Sequence, residues 1–274
     1  MSTVISPGTS TERQRALDAA ATQLIDAASN ATPCRPLREM LPDGTLDDGY
    51  AIQQLVHART SSARRQVGRK IGLTSAAVQQ QMGVDTPDFG VLFADMAFGD
   101  SEPVPMDRLL QPRVEAEVAF VLGNDLPEHP VTTTEVLRAT DFVVAAIEIV
   151  DSRVENWDIS IFDTVADNAS SGLFVVGGSP RSLRDIDDLR TAEMTLTCNG
   201  AVSSSGTGAA CLGHPVNAVV WLANVVAERG APLRAGEVIL SGSLGPLVPV
   251  EPGETYEATI EGLGSVRAAF TERS

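Results

Sequence analysis

Histidine and cysteine are scarce in this chain, with three of each in 274 residues. His57, His129 and His214 are too few and too scattered to build a histidine-rich metal centre. Cys34, Cys198 and Cys211 are odd in number and widely spaced, which suits neither a disulfide framework nor a zinc site. A reducing cytoplasm is the simplest compartment for them. Basic residues are also short: 20 Lys and Arg face 36 Asp and Glu, for a net charge of −16. Such a chain lacks the basic footprint that a nucleic acid or an anionic membrane surface requires. No long charge-free apolar run stands out, so neither a signal peptide nor a membrane span is expected. A serine-hydrolase elbow is missing, because Gly242-Ser243-Leu244-Gly245 has the wrong spacing. Gly262-Leu263-Gly264 lacks the third glycine of a dinucleotide loop.

What is present is apolar content of 43%, enough for a sizeable core. Residues 1–8 read as a tail. Thr9 and Glu12 have capping-box spacing, and an alanine-rich helix should follow to about Ser29. A loop with Pro33, Pro36, Pro42 and Gly44 breaks it, and a second helix should run from Leu46 to Arg64. Short strands are expected at 67–73, 113–122, 142–150, 172–177, 192–198, 237–242 and 255–270. Asn199-Gly200 marks a hairpin turn, and Gly262-Leu263-Gly264 a second one. Pro215 opens a further helix that Gly230 should end. Strands and helices do not alternate regularly, which favours an α+β fold. A helical section over 1–65 and a β-rich catalytic domain over 66–274 are the expected divisions.

The segment QPRVEAEVAFVLG, 111–123, alternates like a strand, yet Glu115 and Glu117 fall on one face. They form either a solvated face or a ligand pair. Glu148 lies in FVVAAIEIVDSR, apolar on both faces, where an unpaired carboxylate is costly. It needs either a cationic partner, with Arg113 and Arg153 as candidates, or a metal. Three carboxylates, two of them fixed at i and i+2, suit a hard divalent cation such as Mg2+ or Mn2+.

RKIGLTS (69–75), GVDTPDFGVLFADM (83–96), QPRVEAEVAFVLG, EIVDSR (148–153), DTVADNASSG (163–172), CLGHPVNAVVWLA and LSGSLGP closely resemble the bacterial 2-keto-4-pentenoate hydratases. These form part of the hydratase/decarboxylase branch of the fumarylacetoacetate hydrolase superfamily. The resemblance implies a mixed β-sandwich-like roll behind a small helical N-terminal section, a divalent metal and a homo-oligomer. It makes Glu115, Glu117 and Glu148 the metal ligands and puts Lys70 and Asp88 in the active site. Asp88 is read in a turn after Pro87, where a plain turn aspartate is common.

The implied substrate is a 2-hydroxy-2,4-dienoate. Ketonisation by a proton at C5 and addition of water at C4 would give a 4-hydroxy-2-oxo acid, in aromatic or steroid ring catabolism. Lys70 suits a cation near the carboxylate or enolate, and Asp88 an acid or base. Asn168, Ser170 and Ser171 could donate to the substrate carboxylate, or form a turn satisfied by its own side chains. Ser241 and Ser243 are candidates for the same pocket. His214, beside Pro215, reads as structural. A 4-oxalocrotonate-type decarboxylase is the alternative, and a non-enzymatic metal-dependent organic-acid binder a more distant one. A pathway aldolase would consume the product and is a candidate partner.

Overall fold

The computed structural model describes residues 7–60, 64–75, 79–80, 84–128 and 130–274, with side chains from residue 11 onward. Most of the expected tail, the end of the second expected helix, Gly83 of the GVDTPDFG motif and His129 therefore lie outside the described residues, as does the Thr9 capping side chain. Helix α1 (Pro7–Ser29) begins within the stretch read as tail. Helix α2 (Leu46–Thr60) follows the proline-rich loop. The two share an apolar cluster that includes Leu17, Ala20, Leu24, Leu37 and Ile52. That cluster also takes in Phe162 and Ala166, so the helical section packs on the β-rich part through common residues.

The strands are β1 (Gln66–Gly72), β2 (Asp88–Phe93), β3 (Ala97–Gly99), β4 (Pro103–Val104), β5 (Arg113–Leu122), β6 (Thr140–Val150), β7 (Ser171–Val176), β8 (Glu193–Cys198), β9 (Ala201–Thr207), β10 (Val238–Ser243), β11 (Val248–Pro249), β12 (Thr255–Ile260) and β13 (Gly264–Phe270). Among the described residues they form two sheets. One has the order β2-β1-β10-β5-β6-β7-β3, with β11 also pairing β5; the other runs β4-β13-β12-β8-β9. The second sheet packs on β5, β6 and β7. Strand β5 is buried along almost its whole length. Its Val114, Ala116, Val118 and Phe120 face fills one side of the core, so the two glutamates of its other face are not a solvated edge.

Both expected hairpins form. Asn199 and Gly200 adopt positive φ between β8 and β9, and Ile260 pairs with Gly264 across the second turn. Further helices with described bounds are α3 (Thr133–Ala139), α4 (Ile161–Ala166) and α5 (Pro215–Glu228). His214 caps α5, its Nδ1 accepting from Val216 N–H at 3.1 Å, and Gly230 leaves the helix at φ +74°. The stretch Gly208–Glu228 does have the length and apolar character of a membrane span. In the fold it is a short turn, a loop and α5, whose Val216, Val219, Leu222 and Val226 are buried in the core.

Candidate active site

The register of β5 on β6 sets Glu148 directly opposite Glu115. Strand alternation adds Glu117 to the same face. One oxygen from each of the three lies within 4.8 Å of the others, and all three residues are buried. Like charges opposed across a strand pair repel, and each buried carboxylate carries a desolvation cost of several kcal/mol. Two groups offset part of this. Lys70 Nζ lies 2.9 Å from Glu148 Oε1, and the backbone N–H of Gly242 donates to Glu117 Oε2 at 2.7 Å. Glu117 Oε1 and Glu148 Oε2 still lack a hydrogen-bond partner, and Glu148 Oε1 has only its ion pair with Lys70.

Burial, reinforced by Glu148, pushes Glu115 up to about 8. Burial, with Glu148 and Glu115, lifts Glu117 well above the ordinary carboxylate range. Groups that hold protons this firmly offer the same lone pairs to a metal cation. Orphaned, inward-facing, oxygen-only donors therefore fit a hard divalent ion held by Glu115, Glu117 and Glu148.

Lys70 lies in the middle of β1, opposite Gly90 of β2 and Leu240 of β10. It is fully buried. Burial alone would push its ammonium down, but Glu148, Asp88 and Glu115 hold it above its ordinary value. Asp88 is not in a turn: it is the first residue of β2, paired with Gly72 of β1. A Cβ at position 72 would lie 2.2 Å from Asp88 Oδ1, so glycine there makes the space for the carboxylate. Burial pushes Asp88 up to about 6, against the pull of Lys70. Its Oδ1 has no partner. Its Oδ2 accepts from Thr164 Oγ1 at 3.5 Å, and Thr164 Oγ1 lies 3.2 Å from Ser170 Oγ.

The remaining candidates divide. Ser170 is joined to Asp88 through Thr164. Ser241 is buried with a free Oγ, one residue before the N–H that binds Glu117. Asn168 spends its amide on both backbone groups of Val91 (2.8 and 2.9 Å), and Ser171 Oγ donates to Asn168 O at 2.7 Å. These two hold the turn itself. The arginines offered for Glu148 are engaged elsewhere: Arg113 stacks on Trp157 and Arg153 pairs with Asp167. Thr164 and Gly72 carry no sequence signal of their own, although they lie within DTVADNASSG and RKIGLTS.

A profile of the fumarylacetoacetate (FAA) hydrolase C-terminal family matches residues 57–271. The chain belongs to the fumarylacetoacetate hydrolase family. Within that family it is 55% identical over 261 residues to the 2-keto-4-pentenoate hydratase of Paraburkholderia xenovorans (strain LB400), covering 95% of this chain and 96% of that one. It is 45% identical over 256 residues to the 2-hydroxyhexa-2,4-dienoate hydratase of Comamonas testosteroni, covering 91% and 96%. Among solved structures, the 4-oxalocrotonate decarboxylase from Pseudomonas putida G7, complexed with magnesium and adipate, superposes with a TM-score of 0.89. It is 38% identical, with 94% of this chain and 98% of that one covered. The expected fumarylacetoacetate hydrolase fold with a helical N-terminal part is thus the observed one.

Proposed function

We propose that this chain is a divalent-metal-dependent hydratase that converts a 2-hydroxy-2,4-dienoate into a 4-hydroxy-2-oxo acid. One observation carries the reading: three buried glutamates converge, two of them with unpartnered oxygens, and a buried lysine and a buried aspartate of raised proton affinity flank them. The identity to hydratases, 55% against 38% to the decarboxylase, supports hydration over decarboxylation.

Four carboxylates, Asp88, Glu115, Glu117 and Glu148, face one ammonium, Lys70, in this pocket. Fully ionised, such a site repels an anionic substrate, and a divalent cation removes most of that excess. When bound, Mg2+ or Mn2+ supplies Lewis-acid stabilisation of negative charge on the substrate's 2-oxygen. Lys70 holds the ammonium that the substrate's carboxylate or enolate meets. Asp88 carries the protons: from its acid form it delivers one to C5 as the dienol loses its hydroxyl proton and ketonises. As carboxylate it then takes a proton from the water whose hydroxyl adds at C4 and so returns to its acid form, while C3 takes up a proton from solvent in place of the one the dienol hydroxyl released to solvent. A proton affinity near neutrality serves both directions. Ser170, through Thr164, and Ser241 complete the polar wall.

Incubating the chain and Mg2+ or Mn2+ with a panel of dienoates, and identifying products by mass, tests the reading. A mass gain of one water is the expected outcome. Release of CO2 would assign the decarboxylase, and an unchanged dienoate would leave a binder.

A further inference from the structure

Gln53 of α2 is 3% exposed and lies outside the strands that carry the three glutamates, Lys70 and Asp88. Its side-chain amide donates to Phe89 O at 3.2 Å and to Val165 O at 3.1 Å. Two carbonyl acceptors require an NH2 group, which among residues of this size glutamine supplies and glutamate or methionine does not. Phe89 follows Asp88, and Val165 follows Thr164. The two segments joined by this amide are therefore the two whose side chains meet at Asp88 Oδ2. One turn earlier on α2, Tyr50 stacks on the Phe89 ring with centroids 4.7 Å apart, and Arg229 lies over Tyr50 at 4.2 Å. The first residues of β2 are thus held from the helical section by a ring contact and an amide. Val165 belongs to the last turn of α4, where a carbonyl has no partner within the helix.

We infer that Gln53 is a positioning residue for the hydration reaction: it fixes the distance between Asp88 and Thr164, and with it the direction in which Asp88 presents its free Oδ1. This rests on the hydratase reading above, in which Asp88 transfers the protons. The three glutamates lie on other strands and do not depend on this amide. Loss of Gln53 should therefore slow the proton transfers and leave metal binding and substrate affinity in place.

The test uses the full chain loaded with Mn2+, as wild type, Gln53→Met, Gln53→Asn and Thr164→Val. Methionine keeps the volume without donors, and asparagine keeps the amide one methylene short. Both variants should lose about tenfold or more in kcat, the range that a small misplacement of a reacting group produces. KM and Mn2+ affinity should stay within about twofold. Combining Gln53→Met with Thr164→Val should cost little more than the worse single change, because both act through Asp88. A wild-type chain that hydrates no dienoate removes the hydratase reading and this inference with it. An active wild type with variants at wild-type kcat, or with a loss confined to KM, overturns the role of Gln53 alone. So does loss of cooperative melting and Mn2+ binding in both variants, which would make Gln53 an element of folding.

Discussion

At Asp88 one carboxylate oxygen is buried with no partner while the other accepts from the Thr164 hydroxyl at 3.5 Å. Its proton affinity is raised by burial and only partly restrained by Lys70. A carboxylate whose folded-state value lies above its unfolded value weakens the fold as pH rises between the two, here from about 4 to about 6. Asp88→Asn should therefore be more stable than wild type at pH 7 in the metal-free protein, by about 3 kcal/mol at most, and should lose that advantage near pH 4. The same change should lower kcat by at least about a hundredfold and abolish the fall of kcat/KM as pH rises through about 6, since the free enzyme must start with Asp88 in its acid form. Denaturant melts at the two pH values and a pH–rate profile check this together. A variant that is less stable and still active would exclude a proton-transfer role for Asp88.

At the scale of elements, the site is a matter of strand register. Glu115 meets Glu148 because β5 and β6 pair residue for residue there. Asp88 faces the site because it is the register partner of Gly72. Gly72→Ala should leave β1 and β2 paired but force the Asp88 carboxylate to move, since its Cβ would fall 2.2 Å from Oδ1. Turnover should fall by about a hundredfold with Mn2+ binding intact, as steady-state kinetics and a metal titration on the same preparation would show. Gly242 is constrained differently: φ of +106° and a Cβ position 2.3 Å from Thr74 Oγ1 both exclude a side chain where its N–H binds Glu117. The alternation of β5 and the turns at Asn199-Gly200 and Gly262-Leu263-Gly264 were legible because those signals are local. Strand β2 was not, since Pro87-Asp88 reads as a turn and DFGVLF is buried on both faces, which erases alternation. Helices α3 and α4 are six or seven residues long, too short for a periodic pattern. Their capping boxes, Thr132 with Glu135 and Ser160 with Asp163, were the local signals available.

At the scale of the whole molecule, the partners that matter are distant in sequence. Glu148 takes Lys70, 78 positions away by number, rather than either nearby arginine. Gln53 reaches Phe89 and Val165 across separations of 36 and 112 residues. No pattern in a single chain announces such pairs, so the carboxylate triad was legible from spacing and resemblance while its surroundings were not. The helical section reaches toward the site through Gln53 and Tyr50, which both contact Phe89, the residue after Asp88. The fold concentrates acidic groups in its interior, and in the proposed function their demand for a cation links metal, proton and substrate.

That demand can be measured directly by calorimetric titration of Mn2+ into the chain at pH 7, in two buffers of different ionisation enthalpy. Burial pushes Glu115 up to about 8 and raises Glu117 in the same direction, so binding at that pH must expel protons. The expected result is one saturable ion per chain with net proton release, affinity rising with pH up to about 8, and loss of the site in a folded Glu117→Gln variant. No saturable binding, or a Glu117→Gln isotherm matching wild type, would contradict the assignment of Glu115, Glu117 and Glu148 as the metal ligands.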